Sequence, residues 1–211
     1  MSDKPLLVIG DKTYSSWSLR PWLLLQQSGI AFDEKLLWLH RPEFREQVRQ
    51  YSPSGRVPVL CHGAVVVWES LAILEYINET WLGGRGWPQE AAARAHARAI
   101  ACEMHAGFAA LRRELSLNLR RNAAPLQPGH DAAQDIQRVL AIWEQARTRF
   151  GAGGPFLYGD FGCADAMYAP VVLRFVVYGI ELPAFARAYA DAVLALPGII
   201  QWRAAAAQEH S

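Results

Sequence analysis

The sequence predicts an α/β N-terminal half of order βαβαββα, followed by an all-α C-terminal half. Three observations lead there. Short apolar runs bounded by turn residues recur only in the first 80 residues or so. Gly83, Gly84, Gly86 and Pro88 then crowd the stretch 81–88 into a linker. Beyond it, strand signals vanish and apolar residues recur at helical spacing.

The elements follow in order. Leu6-Leu7-Val8-Ile9-Gly10 reads as a short buried strand, and the polar residues 11–16 as a loop. An apolar helix runs from Leu19 to Gln27, ending near Ser28-Gly29. Proline is tolerated only in the first turn of a helix, so Pro21 sets the first helical residue no earlier than about Ser18. That leaves Ser15 and Ser16 in the incoming loop or cap, near the positive end of the helix. Phe32 to Leu39 reads as the second strand, and residues 40–51 as a loop with a short helix. A strand pair on either side of His62-Gly63 and a helix from Ser70 to Glu79 complete this half. The last two strands form a hairpin, so the sheet is mixed.

In the second half the spacing predicts one long helix over 90–118, broken by residues 122–129, and a second from Ala132 to Phe150. Residues 164–178 are almost wholly apolar, which at this length marks the centre of a helical domain. An amphipathic helix covers Ala184 to Leu194, and a last short helix follows Pro197 through Trp202, with a helix-prone tail. The domains expected are residues 1–80 and 90–211, joined by 81–89.

Composition narrows the function classes. The chain has 211 residues, 52% of them hydrophobic, enough to bury a sizeable core, and a net charge of +1. That charge gives no reason to expect nucleic acid or an anionic membrane as partner. No apolar run suggests a membrane span, and Met1-Ser2-Asp3-Lys4-Pro5 precedes the first strand without a segment of signal-peptide type. Cys61, Cys102 and Cys163 are scattered, odd in number and without metal spacing. Buried thiols in a reducing cytosol are the expectation, with no metal site.

The most informative stretch is 52–79. A polar turn, Ser52-Pro53-Ser54-Gly55-Arg56, leads into Val57-Pro58. A proline at a strand start cannot donate to the ladder, which leaves the Val57 backbone free to pair with something else. Glu69-Ser70 lies where strand gives way to helix, and a helix N-terminus favours an anion.

These residues resemble the glutathione-binding core of the glutathione S-transferase (GST) family, in which a Val and cis-Pro pair precedes two strands and a Glu-Ser pair opens the next helix. The resemblance implies a thioredoxin-like N-terminal domain with the βαβαββα order, plus an all-helical C-terminal domain. It implies glutathione as co-substrate, with Val57 pairing to its cysteinyl backbone and Glu69 and Ser70 holding its γ-glutamyl end. Gly159-Asp160-Phe161-Gly162-Cys163-Ala164-Asp165 is similar to the family's G-D-x-S-x-A-D segment, with Gly162 in place of the cap serine. Asp165 is then expected to reach back to the Gly162 N–H.

The loop Tyr14-Ser15-Ser16-Trp17-Ser18-Leu19-Arg20 resembles the S-S-C-x-W-R type loop of serine-using zeta and theta members, with Trp17 and Leu19 in place of the motif's cysteine and tryptophan. It implies Ser15, or else Ser16, as the hydroxyl that stabilises the glutathione thiolate, with Tyr14 a third candidate. His40 and Arg56 are both candidates for the glycyl carboxylate. Arg20 is expected to be a structural or interface charge. The second substrate is expected between the Tyr14–Trp17 loop and the long helix, near His105, Phe108 and Arg112. The reading is a cytoplasmic homodimeric transferase acting on a small hydrophobic electrophile. A zeta-like glutathione-dependent isomerase, a peroxidase side-activity and a non-catalytic binding protein remain as alternatives. No cysteine occupies the loop, which disfavours disulfide chemistry.

Overall fold

The computed structural model describes residues 4–209. Its N-terminal part runs β1 (Leu6–Gly10), α1 (Ser16–Gln27), β2 (Asp33–Leu37), α2 (Phe44–Arg49), β3 (Val59–His62), β4 (Val65–Trp68) and α3 (Ser70–Thr80). Helices follow: α4 (Ala91–Ala106), α5 (Ala109–Glu114), α6 (His130–Phe150), α7 (Cys163–Val177), α8 (Ala184–Leu194) and α9 (Pro197–Gln208). The sheet order is β2-β1-β3-β4. β1 pairs parallel with β2 and antiparallel with β3, and β3 and β4 form the hairpin. This is a thioredoxin-like α/β domain carrying an all-helical domain, as the sequence predicts.

Alternation along β1 sorts its side chains between two cores. Leu7 and Ile9 join α1, α3 and the helical half, around the buried Trp22, Trp143 and Trp202. Val8 joins Leu37, Val48 and Val59 on the opposite face, under α2. The α1 helix is the shared element: it packs on β1 and α3 on one side and on α7 and α9 on the other.

Three expectations are corrected. The α1 helix starts at Ser16, not Ser18, so Pro21 lies inside it. An interior proline leaves the carbonyl four residues back, that of Trp17, without its helical donor and costs roughly 3 kcal/mol. Every residue from Ser18 to Leu25 is buried, and that packing outweighs the loss. The long helix is interrupted at Gly107 and Phe108. A Cβ on Gly107 would stand 2.8 Å from the Glu103 carbonyl oxygen, and Phe108 adopts the left-handed conformation at φ 58°. That conformation costs about 1–2 kcal/mol, and burying the phenyl ring in the core offsets it. The break redirects α5. The last helix begins at Pro197 itself and continues to Gln208, beyond Trp202.

The Gly162 substitution has a local reason. Cys163 N–H donates to the Gly86 carbonyl at 2.8 Å, and a Cβ on Gly162 would come within 2.8 Å of the same oxygen. Asp165 reaches back as expected, its Oδ2 accepting from Gly162 N–H and its Oδ1 from Leu157 N–H, both at 3.0 Å.

Candidate active site

A cleft of about 320 Å³ opens between the two parts of the molecule. One wall carries Ser54, Arg56, Val57, Pro58, Glu69 and Ser70, and the other Trp17, His105 and Arg112. A larger cavity of about 430 Å³ lies against the linker, Phe150 and Tyr158, and collects none of the expected site residues.

The first wall is built locally. Ser52 is buried, and its hydroxyl accepts from Arg56 N–H at 3.3 Å, which closes the turn before Val57. The Val57–Pro58 bond is cis, and Val57 stands outside the β3 ladder, whose first pair is Val59 with Trp68. At the end of β4 the chain turns sharply. Glu69 has φ 69° and ψ 124°, a conformation that side chains other than glycine rarely adopt. Such strain, of order 1–3 kcal/mol, concentrates at functional positions. It swings the chain into α3 and leaves Ser70 at the helix N-terminus, where orphan N–H groups face the cleft end. The Ser70 hydroxyl is buried without a hydrogen-bond partner among the described residues. An unmet polar group of this kind is costly unless a ligand completes it.

The second wall comes from distant sequence. His105, in the last turn of α4, sets Nε2 3.6 Å from Glu69 Oε2 and packs edge-on against Trp17. Its Nδ1 is buried and has no hydrogen-bond partner among the described residues. The break at Gly107 lets Arg112 fold back: its Nη1 donates to the His105 carbonyl at 3.3 Å, and its guanidinium lies 5.4 Å from the Trp17 ring centroid. Glu69 is the one carboxylate among the residues lining the cleft, against Arg56 and Arg112. The site therefore favours anionic ligand groups.

Of the expected residues, Arg56, Val57, Glu69 and Ser70 meet in this cleft. His105 and Arg112 line it too, but Phe108 is buried in the core. His40 stands elsewhere, exposed and edge-on to Tyr14 at 5.1 Å. Ser15 and Ser16 are buried at the start of α1 and do not line the cleft themselves, although Trp17, next in the chain, does. The Ser15 hydroxyl donates to Ser18 Oγ at 2.7 Å, and Ser16 Oγ accepts from Arg174 Nη2 at 3.0 Å. Arg20 is fully buried, its Nε donating to the Met167 carbonyl at 3.1 Å and its guanidinium stacked on Trp17 at 3.9 Å. Cys61 is partly buried beside β4, and burial pushes its thiol up. Cys163 is buried, with its thiol raised further by the same cause. Both are the opposite of an activated thiolate.

Sequence reasoning missed two contributors. Ser54 is an ordinary residue of a polar turn and gave no signal. Arg174 did: after Asp165 it is the lone charge in an otherwise apolar helix, where an unpaired cation is expensive.

This fold and cleft define a class: a thioredoxin-like domain joined to a helical domain, with a polar cleft at their junction. The family model described as the glutathione S-transferase N-terminal domain matches residues 14–80, so the similarity to that family is carried by the N-terminal part of the chain. A probable maleylacetoacetate isomerase from Caenorhabditis elegans is 26% identical over 90% of this chain and 95% of its own length. Glutathione S-transferase L1 from Arabidopsis thaliana is 21% identical over 95% of this chain and 80% of its own. Among solved structures, a glutathione transferase homologue from Burkholderia with bound glutathione superposes with a TM-score of 0.73 at 21% identity, covering 98% of this chain and 100% of that one. A theta class enzyme from Xanthomonas axonopodis pv. citri, also with glutathione bound, gives 0.69 at 20% identity over 95% and 97%.

Proposed function

We propose that the chain is a cytoplasmic glutathione transferase that lays glutathione along this cleft and activates its thiol at the start of α1. The observation that carries the reading is that Val57, Glu69 and Ser70 share one wall of a cleft whose other wall carries Trp17 of α1. In this reading the Val57 backbone pairs with the cysteinyl backbone, and the unpartnered Ser70 hydroxyl and the α3 N-terminus take the γ-glutamyl carboxylate. Glu69 faces the amine. Arg56 holds the glycyl carboxylate, since His40 does not stand on the cleft. The relatives named as glutathione transferases, and the neighbours solved with glutathione, support the choice of ligand.

The chemistry needed is modest. A cysteine-type thiol ionises near 8.5, and lowering this by about two units requires about 2.7 kcal/mol of selective stabilisation of the anion. A serine hydroxyl, Ser15 or Ser16, together with the positive end of α1 is of the right strength. The thiolate then attacks a small hydrophobic electrophile resting against Trp17, His105 and Arg112. The exposed edge strand β4, with Val65, Val66 and Trp68 each about two-fifths exposed, serves as part of a homodimer interface.

A second reading, a zeta-like isomerase, is favoured by the relative from Caenorhabditis elegans. It uses the same thiolate to add to, and then leave, a double bond. Calorimetry with glutathione, followed by assays on an activated aryl halide and on a maleyl-type substrate, separates the cases. Turnover of the halide is expected. Heat of binding without turnover of either substrate would favour a non-catalytic role, and no heat at all would remove the glutathione reading.

A further inference from the structure

Three arginines from three helices gather behind the cleft wall. Arg20 of α1 and Arg112 of α5 lie 3.9 and 5.4 Å from the Trp17 ring centroid. Arg174 of α7 donates Nη2 to Ser16 Oγ at 3.0 Å, Nε to the Leu115 carbonyl at 2.8 Å and Nη1 to the Pro170 carbonyl at 3.4 Å. Among the described residues, none of the three is ion-paired with a carboxylate. Arg20 is wholly buried, yet its Nη1 and Nη2 have no hydrogen-bond partner among the described residues. Burial, then the neighbouring guanidiniums of Arg174 and Arg112, hold Arg20 below its ordinary value. Burial likewise brings Arg174 down to about 10, still a cation at neutral pH. Apolar residues of similar volume would fill both positions at lower cost to folding. Hydrogen bonds to the Met167, Leu115 and Pro170 carbonyls and to Ser16 Oγ tie α1, α7 and residue 115 together. Among the described residues they leave the Arg20 Nη atoms and the charge of the cluster unanswered, which a bound anion would answer.

Hydrogen-bond directions show where such an anion benefits. Arg174 occupies an acceptor site on Ser16 Oγ and leaves the Ser16 hydroxyl proton available for another acceptor. Ser15 is different, since its proton goes to Ser18 Oγ. Ser18 Oγ also takes the Gly10 N–H at 3.1 Å and so ties this pair to the end of β1.

We propose that Arg174 and Arg20 are positioning residues for a thiolate at the start of α1, Arg174 by turning the Ser16 hydroxyl toward the sulfur, and both by supplying charge that no carboxylate neutralises. This rests on the reading of the cleft as a glutathione site. The charged and titratable groups acting on Arg20 and Arg174 are each other, Arg112 from α5, Tyr168 from α7 and Tyr178 just after it, and the cleft adds Arg56 before β3, Glu69 before α3 and His105 from α4. Glu69 is the only anion of the set, and it is engaged with His105. On binding, the thiol proton passes to solvent through the open cleft, the sulfur keeps the electron pair, and no other bond changes.

The test is the pH titration of thiolate absorbance for glutathione bound to the full chain, beside calorimetry and steady-state kinetics. Arg174→Met is expected to raise the bound thiol's pKa by about one unit and to lower kcat at neutral pH by up to about tenfold. KM for glutathione should stay within about threefold, because the lost interaction is made to the thiolate and not to the peptide. Arg174→Lys should fall between. Ser16→Ala combined with Arg174→Met should lower kcat less than the product of the two single losses, since the residues act partly as one unit. If Arg174→Met does not fold, Arg174→Lys and Arg20→Met decide, the first because it loses the planar fork that holds Ser16 Oγ and the second because it removes the buried charge. An unmoved thiol pKa in the variants that fold overturns this inference and leaves the glutathione reading standing. Absence of glutathione binding to the unmodified chain overturns both.

Discussion

The Glu209 carboxylate clamps Thr13. One oxygen accepts the Thr13 N–H at 2.9 Å and its hydroxyl at 2.7 Å, while the other accepts the Lys12 N–H at 2.6 Å. Trp202, one side of the same helix, donates its indole N–H to the Lys12 carbonyl at 3.0 Å. The end of α9 thereby fixes the loop that delivers Ser15 and Ser16 to α1. Replacing Glu209 by Ala orphans two backbone donors in a buried loop and should cost about 2–4 kcal/mol, with Gln costing about half as much. Urea unfolding reads the stability. In the same variants kcat should fall more than glutathione affinity, because the loop lies at the α1 end of the cleft. Full stability in Glu209→Ala would show that the clamp is incidental.

Asp165 sets a pH dependence. Burial raises its carboxyl to about 6, against the pull of the Leu157 and Gly162 N–H groups. The folded value lies above the unfolded one, so the native state holds the extra proton between about pH 4 and 6. Stability from this group is therefore present below that window and declines as pH rises through it, by roughly 2–3 kcal/mol in all. Asp165→Asn lacks the titration. The stability difference between the parent chain and this variant should accordingly change across pH 4 to 6 and level off above, with the parent losing ground as pH rises. A difference that is constant with pH would contradict the assignment.

Gly162 should resist the residue that its motif usually carries. A serine there would add a cap hydroxyl worth only a few tenths of a kcal/mol over glycine. Its Cβ would meet the Gly86 carbonyl oxygen at 2.8 Å, a backbone atom held by Cys163 N–H. Gly162→Ser is therefore expected to destabilise by about 1–2 kcal/mol, as overpacking does. Thermal unfolding tests this, and a more stable variant would show that the linker can yield.

The β4 edge gives a prediction about assembly. If the chain pairs through this strand, Val66→Lys or Trp68→Lys should convert a dimer to a monomer in sedimentation velocity. Fold and glutathione affinity should change little, because neither side chain lines the cleft. Unaltered sedimentation of both variants would place any interface elsewhere.

Much of the molecule was readable from residue order because the signals are local. The turn before Val57, the proline after it, the hairpin at His62-Gly63 and the Glu69-Ser70 entry to α3 occupy one continuous stretch, so their types and spacing define a wall of the cleft without reference to the rest of the chain. Helical spacing likewise marked the apolar faces of α6, α7 and α8.

Packing decided the remainder. Pro21 argues locally for a later helix start, but burial of α1 between β1, α3 and α7 outweighs one lost hydrogen bond. The stripe of α4 runs on past Gly107, and nothing in its period reveals that Phe108 is better buried in a left-handed turn that sends Arg112 back to the cleft. Ser16 meets Arg174, and Thr13 meets Glu209, across more than 150 residues. Such contacts arise from how helices stack, so periodicity and propensity, which describe neighbours along the chain, carry no record of them.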